Sequence, residues 1–378
     1  MKIVEVKAHI CHFPLPTPFY PTWMPGLPQY ANSCVIWRLI TDEGVEGISA
    51  GVALADESKG MGDLARIALL GRDPMRPEEI FKTLRSSTRV LGMRAWSIEP
   101  ALWDIIGKVS GQPLWRLLGG AHEALPAYAS TGELHPAAQR AEEVLAIKEA
   151  GFKGVKLRLG MPTVAEDVAI VRAVREAAGD EMTIMVDANQ GWKIHGFGHK
   201  PDWDLGRAVA TARALEELDV FWLEEPLDQH DYDGYRLLRS KTALRIAGGE
   251  MISDLAGLRD LIGGGCVDVV QPDATLSGGI GLSRKVAGMA EAHGLSFSPH
   301  TWTNGLGLVI NLHVAASCPV ATWFEFPFDP PAWVPEVRDA MLSEPTQLGP
   351  DGLIAPPAEP GLGVELNMEA VSAYGKEI

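Results

Sequence analysis

Cysteine is scarce in this chain: Cys11, Cys34, Cys266 and Cys318 are the only four among 378 residues, far apart and in apolar surroundings. That spacing argues against a disulfide framework or a cysteine zinc site and implies buried free thiols. Long apolar runs are missing too. Nothing approaches the ~18 residues of a membrane-spanning helix, and Met1–Ile10 alternates charged and apolar residues as a strand does, unlike a secretory leader. A cytoplasmic protein is expected. Positive charge is also in deficit, with 33 Lys and Arg against 49 Asp and Glu, for a net −16. Nucleic acid and anionic membrane are thereby unsuitable partners, since each demands a basic face. A small anionic substrate would be repelled at long range as well, so a bound cation and a few Lys or Arg would have to hold it locally. No short repeat or low-complexity tract interrupts the chain.

What the chain has is a recurring pattern of apolar runs that end in an acid. Phe221-Trp-Leu-Glu-Glu-Pro226 reads as a buried strand delivering carboxylates at its tip. Met182 to Asn189 ends the same way at Asp187, and Leu244 to Glu250 at Glu250. Carboxylates at buried strand ends need a partner, and a hard divalent cation serves several at once. Asp187, Glu224 and Glu250 are therefore candidate ligands of one metal. Strands are expected near 125–130, 154–158, 182–187, 221–224, 245–249, 267–271, 295–299 and 322–325, with helix-length amphipathic segments such as Pro136–Ala150 and Trp203–Leu218 between them. Eight such units predict a TIM-type barrel, whose chemistry lies at the C-terminal ends of its strands. All the expected strand ends but the first carry an ionisable group: Lys156 and Arg158, spaced to point to one side, then the three acids, then Asp273, His300 and Glu325. Asp273 and His300 come from neighbouring tips, where the acid can orient the imidazole and raise its basicity.

Residues up to about 120 lack that alternation and predict an α+β domain. Val35–Ile40 followed by Thr41–Gly47 reads as a hairpin, and from Pro74 to Gly120 apolar residues such as Met93, Ala101 and Ile105 recur at helical spacing. Two loops are expected, Leu15–Tyr30 and Ser49–Met61. Tyr20, Trp23, Met24 and Tyr30 make the first a packed loop or a lid that shapes an apolar wall. The segment from Gly191 to Asp202, with His195 and His199, is long for a strand-to-helix connection and reads as a solvated loop ahead of one that reaches over the site with a ligand role. Trp302 and Asn304 follow His300 closely and are candidate pocket walls. The tail, rich in proline, is expected to pack back on the first domain through a strand at Gly361–Leu366. The expected division is 1–122, 123–328 and 329–378.

The segments Ser97-Ile-Glu-Pro-Ala-Leu-Trp-Asp-Ile-Ile-Gly-Lys108, Leu117-Leu-Gly-Gly120, Asp187-Ala-Asn-Gln190, Leu223-Glu-Glu-Pro226, Gly248-Gly-Glu250, Gln271-Pro-Asp273 and Pro299-His300 together resemble the mandelate racemase subgroup of the enolase superfamily, over essentially the whole chain. The resemblance implies a modified (β/α)7β barrel with an α+β capping domain completed by the C-terminal segment, and assembly as a homo-oligomer. It also implies one Mg²⁺ per subunit on Asp187, Glu224 and Glu250, and removal of a proton α to a carboxylate through an enediolate. His300, oriented by Asp273, would be the base. Lys156 would lie against the substrate carboxylate, Glu325 would donate to it as a protonated acid, and Asn189, Tyr20, Trp23, Trp302 and Asn304 would contact substrate. The subgroup usually has Lys-x-Lys where this chain has Lys156-Leu-Arg158. A guanidinium stays protonated, so one good base remains. Dehydration of an acid sugar to a 2-keto-3-deoxy acid is then expected ahead of racemisation, epimerisation or cycloisomerisation. A carboxylate-binding protein without catalysis is a third reading, though binding alone has no need of an oriented base.

Overall fold

A computed structural model describes all 378 residues except 54–59, 92, 93, 193–197 and 199. Met93, His195, His199 and most of the expected Ser49–Met61 loop fall outside the described residues. The capping domain opens with β1 (Ile3–Phe19), β2 (Gln29–Thr41) and β3 (Glu46–Val52), which form an antiparallel sheet. Helices α1 (Met61–Leu69), α2 (Pro77–Leu91), α3 (Glu99–Ser110) and α4 (Leu114–Leu117) follow, with a 3₁₀ turn at Ala95–Ile98. Trp37, Leu39, Leu84 and Ile105 lie in a single apolar cluster between sheet and helices. Buried Asp104 ties the domain together, accepting from Ile48 N at 2.9 Å, Leu362 N at 2.8 Å and Lys108 Nζ at 2.8 Å.

Two expectations fail here. The proline-rich stretch Leu15–Phe19 is not loop but the end of β1, so the connection to β2 shrinks to residues 20–28. Ser49–Val52 likewise belongs to β3. The sheet tolerates Pro14 because β1 pairs there with β2 alone, the other neighbour covering only His9 to Cys11.

The barrel alternates β4 (Leu125–Ser130), α5 (Ala137–Glu149), β5 (Gly154–Arg158), α6 (Val164–Ala178), β6 (Thr183–Asp187), α7 (Leu205–Glu216), β7 (Val220–Glu224), α8 (Tyr232–Arg239), β8 (Arg245–Gly248), α9 (Leu255–Gly263), β9 (Val269–Val270), α10 (Gly279–Ala292), β10 (Ser296–Phe297), α11 (Gly305–Ala316) and β11 (Phe324–Pro327). Strand order runs from β10 through β4 to β11, all parallel, and a bridge between Phe297 and Ala321 closes the ring. Its interior is packed by Tyr128, Met185, Trp222, Ala247 and Val269. Apolar strands buried on both faces are what a sheet wrapped in helices requires. This is the (β/α)7β barrel with a capping domain.

The tail adds α12 (Pro335–Arg338), β12 (Leu353–Ile354), α13 (Met368–Tyr374) and β13 (Gly375–Glu377). β13 pairs with β1, so the chain's end completes the first sheet. Gly361–Leu366, however, forms no strand and makes only isolated bridges to Pro113 and Leu342. All four cysteines are buried and free. Among the described residues no helix is long and apolar enough to cross a membrane.

One contact locks cap to barrel. The Glu99 carboxylate, on α3, accepts from Ile280 N at 2.7 Å and Gly281 N at 3.0 Å in the first turn of α10, and from Trp103 Nε1 at 2.7 Å. Burial outweighs those donors and pushes its pKa from 4.5 up to about 7. A proton bound more tightly in the fold stabilises it below the unfolded pKa, and that contribution is lost as pH rises through the folded value. Relative to Glu99→Gln, the wild type is expected to lose up to about 3 kcal/mol of stability between pH 4.5 and 8. Urea unfolding of both proteins at the two pH values checks this, and a constant difference refutes it.

Candidate active site

β6 and β7 run in register with Asp187 beside Glu224, so both side chains emerge at the same height of the barrel mouth. Immediately after them Asn189 and Glu225 adopt left-handed φ values of 44° and 45°, a conformation non-glycine residues hold only when the surroundings enforce it. Beyond β8 the chain reaches Glu250 through Gly249, whose φ of 109° disfavours any side chain and where a Cβ would press on Leu261. Asp187 accepts from Asn189 N at 2.7 Å and Asn189 Nδ2 at 3.0 Å. Glu224 accepts from Gln271 Nε2 at 2.8 Å and Trp222 Nε1 at 3.1 Å, and Glu250 from Trp192 Nε1 at 2.8 Å.

The two cations of β5 turn into this acidic cluster. Lys156 Nζ lies 2.6 Å from Glu224 Oε1 and 2.7 Å from Glu325 Oε1. Arg158 donates from Nε to Thr131 O at 2.6 Å, pairs with Asp187, and stacks its guanidinium 5.1 Å from the Trp23 ring and 5.8 Å from that of Trp302. Burial acts to lower the Arg158 pKa, but the carboxylates of Asp187, Glu224, Glu325 and Glu250 outweigh it and hold the group above its ordinary value. Glu325 also departs from expectation. Its Oε1 accepts from Ser130 Oγ at 2.7 Å and its Oε2 from Thr301 N at 2.7 Å. Burial acts to raise its pKa, yet Lys156, His300 and Arg158 prevail and keep it well below the usual carboxylate range. It is placed as an ionised acceptor, not as a protonated donor.

His300 Nδ1 lies 2.9 Å from Asp273 Oδ2, and Nε2 lies 3.6 Å from Glu250 Oε2. Asp273 is itself fixed, its Oδ1 accepting from Thr275 N at 2.7 Å, Leu276 N at 3.0 Å and Asn311 Nδ2 at 3.0 Å. An acid so anchored fixes the imidazole's orientation. Burial would lower the His300 pKa, but Glu250, Glu325 and Asp273 push it to about 10.

A cavity of about 660 Å³ opens between the two domains, a size suited to a small-molecule ligand. Arg158, Asn189, Glu250, His300 and Trp302 line its barrel side, and Trp23, Met24 and Tyr30 its capping side. Lys156, Asp187, Glu224, Asp273 and Glu325 are fully buried around it. The 20–28 connection seats on the mouth: Thr22 donates from N to Gly132 O at 3.0 Å and from Oγ1 to Asn189 Oδ1 at 2.7 Å, while Trp23 and Trp302 meet at 5.0 Å. Two expected pocket residues do not line this cavity. Tyr20 is 58% exposed and faces a separate groove with Glu133 and His135. Asn304 caps α11, accepting from Gly307 N at 2.9 Å. Conversely Thr22 and Trp192 hold site residues without standing at a legible strand tip, and only the hydroxyl and indole donors themselves could have hinted at them.

The donor set suits a hard cation. Among the described residues no three His, Cys, Asp or Glu groups stand as a ready cluster for a metal ion. The charge is nevertheless unbalanced. Burial first, then repulsion from Asp187, Glu325 and Glu250, push Glu224 up to about 8 in spite of Lys156. Among the described residues, both oxygens of neighbouring Glu225 are buried with no hydrogen-bond partner. A mouth in which carboxylates crowd one another out of ionisation has room for further positive charge, and oxygen ligands of this kind fit Mg²⁺.

A cap over a barrel whose strand tips carry acids, a lysine and an oriented histidine defines an enolase-like barrel enzyme. Residues 138–371 match the family described as enolase C-terminal domain-like, and residues 12–119 the mandelate racemase / muconate lactonizing enzyme N-terminal domain. The chain belongs to the mandelate racemase / muconate lactonizing enzyme family. It is 34% identical to the L-talarate/galactarate dehydratase of Salmonella typhimurium over 86% of this chain and 81% of that one. It is 29% identical to the D-galactarolactone cycloisomerase of Agrobacterium fabrum, over 99% of both. Among solved structures, the L-talarate dehydratase of a Polaromonas species, complexed with Mg and L-glucarate, superposes with a TM-score of 0.83 at 30% identity, covering 100% of this chain and 98% of that one.

Proposed function

We propose that this protein is a Mg²⁺-dependent dehydratase that converts an acid sugar to its 2-keto-3-deoxy acid. The observation that carries the reading is the pairing of one oriented base, His300 on Asp273, with an Arg158 that Asp187 and its neighbours hold cationic. Held by Asp187, Glu224 and Glu250, Mg²⁺ would stabilise the substrate carboxylate as it gains a second negative charge and would draw the charge of Glu250 away from His300.

The rest falls to side chains of this chain. His300 Nε2 takes the α-proton, while the Nδ1–H donated to Asp273 Oδ2 fixes the tautomer and supports the imidazolium that forms. The same proton, delivered to the β-hydroxyl, lets the C–O bond break as water leaves. The enol that remains tautomerises to the 2-keto acid. Arg158, beside the rings of Trp23 and Trp302, is cationic and positions substrate oxygens. The 20–28 connection acts as the lid that excludes water.

Incubation with Mg²⁺ and a panel of aldonic and aldaric acids, scored for 2-keto product, tests this. Product from at least one acid sugar is the expected result, and none across the panel refutes it. Isomerisation is the second reading, supported by the cycloisomerase among the relatives, and it would appear as substrate turned over with no 2-keto product.

A further inference from the structure

Among the described residues, the cations of the barrel strand tips are engaged. Lys156 is shared by Glu224 and Glu325, Arg158 pairs with Asp187, and His300 sits between Asp273 and Glu250. Arg94, from the capping domain, is different. It lines the same cavity and is partly buried. Among the described residues its guanidinium donates no hydrogen bond and forms no ion pair, and only its carbonyl is used, accepting from Ser97 Oγ at 3.3 Å.

Its placement is fixed by its neighbours. Arg94 precedes the 3₁₀ turn Ala95–Ile98, in which Trp96 Nε1 donates to Leu276 O at 2.8 Å and Ser97 Oγ accepts from Trp37 Nε1 at 3.2 Å. Leu276 also lines the cavity and its N–H holds Asp273. The turn carrying Arg94 is thus pinned to the loop that orients the base. His12 Nδ1 and Ser33 Oγ, 2.8 Å apart, line the same cavity and offer hydrogen-bond partners for hydroxyl groups.

A guanidinium with no side-chain partner among the described residues, at the rim of a cavity where Arg158 and His300 are paired with carboxylates, seeks an anion, and its planar fork fits a carboxylate with two parallel hydrogen bonds. The reacting carboxylate is accounted for at the barrel mouth. We propose that Arg94 binds the second carboxylate of a dicarboxylic acid sugar, so that the substrate is an aldaric rather than an aldonic acid. This rests on the dehydratase reading for which end of the substrate reacts, and it adds a recognition site on the other domain. The cavity's ~660 Å³ accommodates a six-carbon diacid with its hydroxyls.

The test compares hexaric acids with the hexonic acids of matching configuration, using Mg²⁺-loaded protein. Wild type is expected to favour the diacid in kcat/KM. Arg94→Met should lower that value 30-fold or more, at the scale of losing a buried charged pair, and leave the monoacid within about threefold. Arg94→Lys should restore part of the diacid activity. Equal losses for both acids, no loss for either, or a wild type that turns over only monoacids overturns the proposal. Calorimetric binding of a diacid and a monoacid separates this from failure of the dehydratase reading. If no acid forms 2-keto product yet the diacid binds in an Arg94-dependent way, the site stands and the reaction falls. Should Arg94→Met be unfolded by circular dichroism, Arg94→Lys and Arg94→Gln decide, with diacid binding kept by the first and lost by the second.

Discussion

His300→Asn is expected to lower kcat by at least ~10³-fold and to abolish exchange of the substrate α-proton with D₂O. Among the described residues the imidazole is the one group lining the cavity with a ring nitrogen fixed on an anchored acid, Oδ2 of Asp273, at 2.9 Å. Asparagine keeps the approximate volume and a hydrogen-bond donor but accepts no proton at neutral pH. Arg158→Met should slow turnover yet leave measurable exchange, because the guanidinium positions substrate and stays protonated beside Asp187. Two working bases predict a different outcome. In that case His300→Asn still exchanges the α-proton of the opposite stereoisomer at a wild-type rate, and the dehydratase reading gives way to a racemase or epimerase.

Removal of a single carboxylate from the proposed metal site should have the second large effect. Asp187→Asn, Glu224→Gln and Glu250→Gln are each expected to weaken Mg²⁺ binding by more than ~100-fold, beyond the 10–100-fold typical of losing a mere supporting residue. Turnover should fall with it while the fold persists. The three are not equivalent in their side effects. Asp187→Asn leaves Arg158 without its carboxylate, whereas Glu224→Gln releases Lys156 only in part because Glu325 remains. Calorimetric titration with Mg²⁺, with circular dichroism to confirm folding, measures this. Full turnover in excess EDTA would count decisively against the metal.

Much of this architecture is legible in the sequence because the barrel strands are buried on both faces. Val220–Glu224 and Thr183–Asp187 read as apolar runs with one polar tip, and the physics that buries the run also fixes where the tip emerges. Helix starts such as Thr163, whose side chain and that of Glu166 cap each other, are equally local. What escapes the sequence is set at a distance. β1 runs through Pro14, Pro16 and Pro18 because its edge there has one neighbour, and that depends on where the chain's end returns. Asn304 stands beside catalytic-looking residues but spends its oxygen on a helix N-terminus. Arg94 and Trp192 belong to no strand tip, and only tertiary folding brings them to the mouth. The charge of Glu325 follows from the donors around it, Lys156, Ser130 and Thr301, none of which adjoins it in sequence.

The seam between cap and barrel runs through the cavity, and this divides inheritance of the two tasks. On the proposed reading, proton transfer falls to buried strand tips of the barrel, where substitutions disturb packing. On the proposed reading, substrate choice falls largely to Trp23, Met24, Tyr30 and Arg94, which line the cavity from the capping side. A lineage can therefore exchange one acid for another by drifting along the cap while its chemical step stays untouched. Libraries that randomise only those capping positions should yield altered acid preference far more often than dead protein.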